Sequence, residues 1–141
     1  MPIVSIYMIR TSLIWLVLTV TAGALLLTVK TTGWWPGGWS MRMPHIEAGL
    51  VGWFMLLIMG VAWWMLPRIP WQHHRRGHPL WAWGAYALLN LGMILLMTSP
   101  GGSIISGVGS GMYIAATGAF AVGIWPRITS LREKLEKMGK E

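Results

Sequence analysis

A short stretch about a third of the way along the chain holds the residues best suited to chemistry. Arg42, Met43, His45 and Glu47 stand at the start of an apolar run that continues to Leu66. Ionisable side chains at membrane depth are costly, so they mark functional sites by default. Imidazole is a common ligand of haem iron and of other metals. His45 is therefore the candidate metal ligand, and Arg42 can form a charge-assisted pair with an anionic group of the same ligand.

Small and apolar residues follow His45 along one predicted helical face. In an ideal α-helix, positions three or four residues apart lie one above another. The residues so placed are Ala48, Gly49, Gly52, Leu56, Met59 and Gly60. Such a face leaves room for a flat macrocycle, so we expect Gly49 and Gly52 to contact a cofactor bound to His45. The alternative is that both glycines serve only helix packing.

Four long apolar segments must position these residues. They cover approximately residues 5–29, 44–66, 79–98 and 103–125, and roughly 20 helical residues suffice to cross a bilayer. Of the 141 residues, 55% are hydrophobic and only 11% are charged, whereas soluble domains carry about 25% charged residues. We predict an all-α integral membrane protein, a four-transmembrane-helix bundle over residues 1–126. The first segment is expected to be retained, because no small-residue cleavage site follows it.

Residues 127–141 are predicted to form a polar, amphipathic, cytoplasmic tail. Ser130 and Glu133 have the spacing of a helix-capping box, and Glu133 with Lys137 has the i,i+4 spacing of a helical ion pair. The tail is interpreted as a solvated helix.

The cations are distributed unevenly between the two ends of the predicted bundle. With four spans, Lys30 and Arg42 fall on one side and the other cations near the membrane fall on the opposite side. This larger group comprises Arg10, Arg68, Arg75, Arg76, Arg127, Arg132, Lys134, Lys137 and Lys140. Cytoplasmic loops are enriched in Lys and Arg, so both termini are predicted to be cytoplasmic and His45 to lie towards the outer side. Topology thus explains the net charge of +7, and no nucleic-acid partner is expected.

Three histidines in the basic loop form a second candidate site. His74 and His78 have an i,i+4 spacing that suits a surface metal, and His73 adjoins them. No acid or cysteine accompanies them and the neighbouring arginines repel cations, so an interfacial role is favoured. The sequence has no cysteine, which excludes disulfides and thiolate ligands. It also lacks a phosphate-binding glycine loop and a Ser/His/Asp set.

Two features of the later segments indicate contacts between helices. Asn90 needs a hydrogen-bond partner in hydrocarbon, so we expect it to bond a neighbouring helix, with a ligand contact as the alternative. Small residues also recur at every fourth position of the last segment, a pattern that lets two backbones approach closely. This small-residue ladder comprises Ser103, Gly107, Gly111, Ala115, Ala119 and Gly123. It is predicted to pack either within the chain or at a seam between subunits of a homo-oligomer, a dimer or trimer.

One part of the sequence resembles a known family. The run Arg42-Met43-Pro44-His45, followed by Gly49, Gly52-Trp53, Gly60 and Leu66-Pro67-Arg68, is similar to the second helix of haem-copper oxidase subunit I. The similarity is closest to the nitric oxide reductase branch and to short stand-alone relatives, and it covers approximately residues 42–92. It implies that His45 is an axial ligand of a low-spin b-type haem and that Arg42 contacts a haem propionate.

The departures from the family limit what the resemblance implies. Met43 stands where the short relatives often have a second histidine. The copper ligands and the second haem ligand of the full-length subunit lie in later helices that have no counterpart here. The chain is therefore not a complete oxidase by itself, and whether it is an enzyme is left open.

The resemblance implies a membrane-embedded protein that binds haem b and serves electron transfer or binds a small gas such as NO or O2. It implies the inner (cytoplasmic) membrane of a bacterial or archaeal cell and a respiratory-chain partner. The alternative function is that of a cofactor-free accessory or assembly subunit of a larger respiratory membrane complex.

Overall fold

The structure is a computed structural model that describes residues 1–66, 79–99 and 103–138. The histidine group His73, His74 and His78 and the loop arginines Arg68, Arg75 and Arg76 lie outside the described residues. The side chains at positions 127, 129–135, 137 and 138 are also outside the description. The predicted pair of Glu133 and Lys137 is among them.

Four helices of the described chain are long and apolar enough to cross a membrane. We call them the first to the fourth helix, and they cover Ile3–Thr32, Pro36–Met65, Pro79–Thr98 and Ile104–Met138. The predicted all-helical architecture is confirmed, because no strand is present in the described residues. The first helix ends at Gly33, whose left-handed φ of 66° lets its N–H bond the carbonyl of Val29 at 2.9 Å.

The second helix is not a uniform α-helix. A 3₁₀ turn, Pro36–Met41, leads into an α-helical turn, Arg42–Glu47, which is followed by a π-helical segment, Ala48–Met55, and a final α-helical part, Leu56–Met65. In a π-helix each N–H bonds the carbonyl five residues earlier, and such segments are frequent at functional sites. The wider winding begins directly below His45 and changes which side chains lie beneath it.

The fourth helix is longer than the sequence predicts. It runs without a break from Ile104 to Met138 with Pro126 in its interior, and only Ile104–Pro126 is apolar enough to cross a membrane. The tail predicted at residues 127–141 therefore continues this helix as far as Met138. Ser130 lies inside the helix rather than at its start, so the predicted capping box is wrong. A proline removes one backbone hydrogen bond, and the surrounding turns maintain the helix.

The helices pair as two hairpins, the first with the second and the third with the fourth. Two side-chain hydrogen bonds join the first helix to the third. The indole Nε1 of Trp15 donates to Oδ1 of Asn90 at 3.2 Å, and the hydroxyls of Thr11 and Tyr86 lie 2.8 Å apart. The prediction that Asn90 bonds a neighbouring helix is confirmed.

The core fills the space between the two hairpins. Met8, Leu56, Trp63 and Leu89 are almost completely buried there, and the ring of Trp63 lies 6.1 Å from that of Phe120 on the fourth helix. Many large apolar side chains of the first helix remain exposed on the outer surface. Exposed apolar surface of this extent is typical of a lipid-facing or partner-facing wall.

The close contact between the third and fourth helices does not use most of the small-residue ladder. A Cβ atom added at Gly109 would lie 2.8 Å from Leu96 and 3.0 Å from the carbonyl of Gly92. By contrast, a Cβ at Gly107 or Gly111 would meet no described atom within 4 Å. Packing within the chain is therefore wrong for the middle of the ladder, which faces outwards. At its far end, Gly123 packs against Trp81, with 2.7 Å from an added Cβ to the Trp81 Cβ.

Candidate functional site

His45 lies against the backbone of the first helix. Its Nδ1 is 3.1 Å from the carbonyl oxygen of Thr19. Gly23, one turn further along the same helix, also adjoins the ring, and a Cβ added there would lie 3.0 Å from the imidazole Cε1. The hairpin register explains this placement, because Gly49 faces Thr19 and Gly60 faces Ile9 in the same antiparallel order. The absence of a side chain at Gly23 gives the half-buried ring its space.

The contact with Thr19 fixes the proton on the imidazole ring. A carbonyl oxygen can only accept a hydrogen bond, so Nδ1 carries the proton and donates it. In the neutral ring Nε2 then keeps a free lone pair, and it makes no hydrogen bond with any described residue. Metal-binding histidines almost always donate their second nitrogen to a carbonyl or carboxylate in this way. His45 is thus held in the tautomer that a metal-binding histidine needs.

An apolar groove opens beside His45. Its volume is about 550 Å³. It is lined by Thr19, His45, Ile46, Gly49, Leu50, Trp53 and Phe54. All of these residues belong to the first and second helices, and the groove is open on its outer side. A flat apolar ligand can lie in such a groove with one face towards His45.

Gly49 and Gly52, which are predicted to contact a cofactor, lie in different environments. Gly49 lines the apolar groove and approaches Thr19, whose Cγ2 would be 3.2 Å from an added Cβ. Gly52 is buried between Trp15 and Met93, 2.7 Å and 3.0 Å from an added Cβ, and does not line this groove. Gly52 therefore lies where it is expected if it serves only helix packing. The π-helical winding accounts for the divergence, since its wider turn rotates residues three apart, such as Gly49 and Gly52, away from a common face.

A second, cationic groove of about 300 Å³ continues from the first towards the loop. It is lined by Gly23, Leu26, Leu27 and Lys30 from the first helix and by Trp39 and Arg42 from the start of the second helix, with His45 and Ile46 shared between the grooves. The Arg42 guanidinium lies 5.8 Å from the centre of the Trp39 ring, within the range of a cation–π contact. Arg42 therefore occupies the same side of the second helix as His45.

Glu47 is directed away from His45. The Tyr113 hydroxyl of the fourth helix donates to its Oε2 at 3.4 Å. Two positions along a helix do not face one way, so the imidazole contacts the first helix while the carboxylate contacts the fourth. Glu47 thus joins the two hairpins and does not line either groove beside His45.

The described residues contain no group of three or more His, Cys, Asp or Glu side chains that could hold a metal ion. A bare metal ion would therefore find too few protein ligands at His45. Haem needs fewer, because its porphyrin supplies four nitrogens to the iron and the protein supplies only axial ligands. The single imidazole, the apolar groove and the adjoining cations together fit haem better than they fit an ion.

Comparison with known protein families, with curated proteins and with solved structures found no match to this chain.

Sequence reasoning did not identify several residues of this site. Thr19 and Gly23 hold the imidazole, Lys30 lines the cationic groove, and Trp53 with Phe54 forms the far wall of the apolar groove. Gly23 offered a signal, because it interrupts a segment rich in Leu, Val and Thr. In an antiparallel hairpin, paired residue numbers have a nearly constant sum, but only the structure gives the value of that sum and so pairs Gly23 with His45.

Proposed function

We propose that the chain is a multi-pass protein of a bacterial or archaeal cytoplasmic membrane, with both termini in the cytoplasm. In this proposal it binds haem b through His45 and uses it for electron transfer or for binding a small gas. Four helices of sufficient length and hydrophobicity support the membrane location. A respiratory-chain protein is the partner proposed for electron transfer.

The main support for haem binding is the hydrogen bonding of the two His45 ring nitrogens. The neutral ring donates its Nδ1–H to the Thr19 carbonyl at 3.1 Å and keeps the lone pair of Nε2, and the imidazole lines an apolar groove. A half-buried imidazole that served only packing would not need a groove of about 550 Å³ next to it. Bound haem would supply a redox-active iron, and the groove would keep water from one face of it.

A visible spectrum of the purified protein tests the proposal. The chain is produced in a bacterial host, extracted in mild detergent, and measured before and after addition of haem. We expect a Soret band and, after reduction, the sharp α and β bands of a b-type cytochrome. A colourless preparation that takes up no added haem would contradict the proposal.

The second candidate is a cofactor-free accessory or assembly subunit of a larger membrane complex. The outward position of Gly107 and Gly111 favours it, because a row of small residues on an outer wall permits close approach of another helix. In that case the colourless preparation would co-purify with other subunits from its native membrane.

A further inference from the structure

His45 and Glu47 belong to the same short helical turn but are held from different sides. The turn, Arg42–Glu47, leads directly into the π-helical segment of the second helix. His45 contacts the first helix, where its Nδ1 lies 3.1 Å from the Thr19 carbonyl oxygen. Glu47 contacts the fourth helix, where it accepts a hydrogen bond from the Tyr113 hydroxyl at 3.4 Å. Together the two contacts restrict the rotation of the turn about the helix axis.

Tyr113 packs against the third helix, and this contact directs its hydroxyl. A Cβ atom added at Gly92 would lie 3.1 Å from Cε1 of the Tyr113 ring. The absence of a side chain at Gly92 therefore gives the ring its space between the third and fourth helices, which pack closely on each other. The hydroxyl thus reaches Glu47 from a ring that is fixed by its own hairpin.

Glu47 is an ionisable side chain within an apolar span. It is half-buried, and it belongs to Pro36–Met65, a segment long and apolar enough to cross a membrane. A carboxylate at membrane depth is costly and marks a functional site by default. No ion pair with a cation of the described residues offsets this cost. The role of the carboxylate therefore has to be found in its contact with Tyr113.

We propose that Tyr113 is a positioning residue for His45 and acts through Glu47. The Tyr113–Glu47 hydrogen bond holds the turn from the side of the fourth helix and so keeps the imidazole at the Thr19 carbonyl. The consequence for iron rests on the proposed haem function, because a metal ligand whose orientation is fixed binds more tightly. The fourth helix, which contributes no described residue to either groove, thereby becomes part of the site.

Tyr86 provides the control for the alternative, in which the hydrogen bond of Tyr113 only stabilises the bundle. The Tyr86 hydroxyl lies 2.8 Å from that of Thr11 on the first helix, so Tyr86→Phe also removes a hydrogen bond between the hairpins. This bond is the shorter of the two. A purely structural role therefore predicts that Tyr86→Phe is at least as harmful as Tyr113→Phe in every measurement.

NMR of haem-free protein with isotope-labelled histidine measures the contact of His45 with Thr19 directly, and His45→Ala assigns the signal. In the unaltered protein we expect a hydrogen-bonded Nδ1–H that exchanges slowly with water. Tyr113→Phe should shift this signal towards that of a free imidazole, whereas Tyr86→Phe should leave it unchanged. Glu47→Gln keeps an oxygen acceptor for the tyrosine and should preserve the signal. Glu47→Leu removes the acceptor and should reproduce the effect of Tyr113→Phe.

Haem titration of the same variants measures the consequence for the iron site. Tyr113→Phe and Glu47→Leu should each weaken haem binding by about tenfold, the lower end of the range for residues that orient a metal ligand. The double variant should bind no more weakly than either single variant, because both changes remove the same interaction. Tyr86→Phe should bind haem as the unaltered protein does, although its unfolding temperature is expected to fall at least as far as that of Tyr113→Phe.

Equal effects of Tyr113→Phe and Tyr86→Phe on the histidine signal and on haem affinity would overturn the proposal, because Tyr113 would then be only structural. Weaker haem binding in Tyr113→Phe without a shift of the histidine signal would also overturn it. If the signal shifts as expected but the unaltered protein binds no haem, the positioning role is supported and the proposed function is wrong.

Discussion

At the residue scale, the site depends on how His45 is held. The first helix supplies a carbonyl acceptor at Thr19 and an open space at Gly23, and neither contribution comes from the helix that carries the histidine. The ring is therefore oriented by main-chain geometry rather than by a flexible side chain. A preorganised ligand of this kind loses little freedom when it binds metal.

Replacement of His45 by Ala is expected to abolish haem binding, because the described residues around the groove offer no other nitrogen ligand. The Soret absorbance per mole of purified protein measures the effect. His74→Ala is the control, since it removes a histidine of the basic loop. Full haem content in the His45→Ala protein would mean that the central assignment is wrong.

Replacement of Gly23 by Ala is expected to weaken haem binding by about tenfold, the lower end of the range for residues that orient a metal ligand. The new methyl group would begin 3.0 Å from the imidazole Cε1 and push the ring off the Thr19 carbonyl. Haem titration of the haem-free protein gives the affinity. Gly84→Ala is the matched control, because an added Cβ there meets no described atom within 4 Å. Equal affinities in the two variants would show that the contact does not orient the ring.

At the element scale, the second and fourth helices differ from what regular α-helical periodicity predicts. The π-helical segment Ala48–Met55 changes the rotation of the second helix below His45. As a result, Gly49 remains at the groove while Gly52 turns into the contact with Trp15 and Met93. Among the glycines of the fourth helix, Gly109 and Gly123 approach a neighbour closely, whereas Gly107 and Gly111 in the predicted ladder do not.

Gly109→Leu and Gly111→Leu should therefore have different effects. Leu at position 109 would overlap Leu96 and the Gly92 carbonyl, and overpacking of this kind costs about 1–3 kcal/mol. We expect a lower unfolding temperature for this variant in detergent. Gly111→Leu faces outwards and should leave the unfolding temperature of the single chain unchanged.

Size-exclusion chromatography with light scattering completes this comparison. If the outward part of the ladder is a subunit seam, Gly111→Leu reduces the oligomer size without lowering the stability of the chain. If Gly109→Leu were as stable as the unaltered protein, the close contact between the third and fourth helices would be contradicted.

At the scale of the whole molecule, the two hairpins have different roles. The first hairpin carries His45 and both grooves, whereas the second supplies Asn90 and Tyr113 as polar contacts to it. Lys30 and Arg42 lie at one end of the first hairpin, as the antiparallel register requires. This arrangement agrees with the charge distribution from which the topology is predicted.

A reporter fused after Glu141 should be active on the cytoplasmic side, because the basic loop and the basic C-terminal region favour that side. A second fusion inserted at Gly37, in the 3₁₀ turn that opens the second helix, should report the outer side and serves as the control. Activity of the Glu141 fusion on the outer side alone would contradict the predicted orientation.

We expect one haem to be bound for every two chains. The apolar groove leaves one face of a bound ring uncovered, and a two-fold axis would bring the same patch of a second chain onto that face. The two His45 nitrogens would then lie about 4 Å apart, by analogy with metal–imidazole bonds of ~2.0 Å. Pyridine haemochrome analysis with amino-acid quantification gives the ratio. One high-spin, gas-sensitive haem per chain would show instead an open iron site and would favour gas binding.

The sequence alone determined the elements that long apolar runs define. The third helix, predicted at residues 79–98, was found at Pro79–Thr98, and the partner expected for Asn90 was found in Trp15. Both follow from local physics, because hydrocarbon requires continuous apolar helices and leaves no buried amide unpaired. His45 was also selected locally, as an ionisable residue at the mouth of an apolar segment.

Only the tertiary structure decided what faces these residues. Periodicity arranges side chains around the axis of their own helix, but it contains no information on the rotation of the neighbouring helix. The pairing of His45 with Thr19 and Gly23, and the meeting of Lys30 with Arg42 on one groove, therefore depended on the register of the first hairpin. Gly111 and Gly123 both follow the spacing of four, yet Gly111 faces outwards and Gly123 packs on Trp81. The spacing cannot distinguish the two residues, because the difference depends on the position of the third helix.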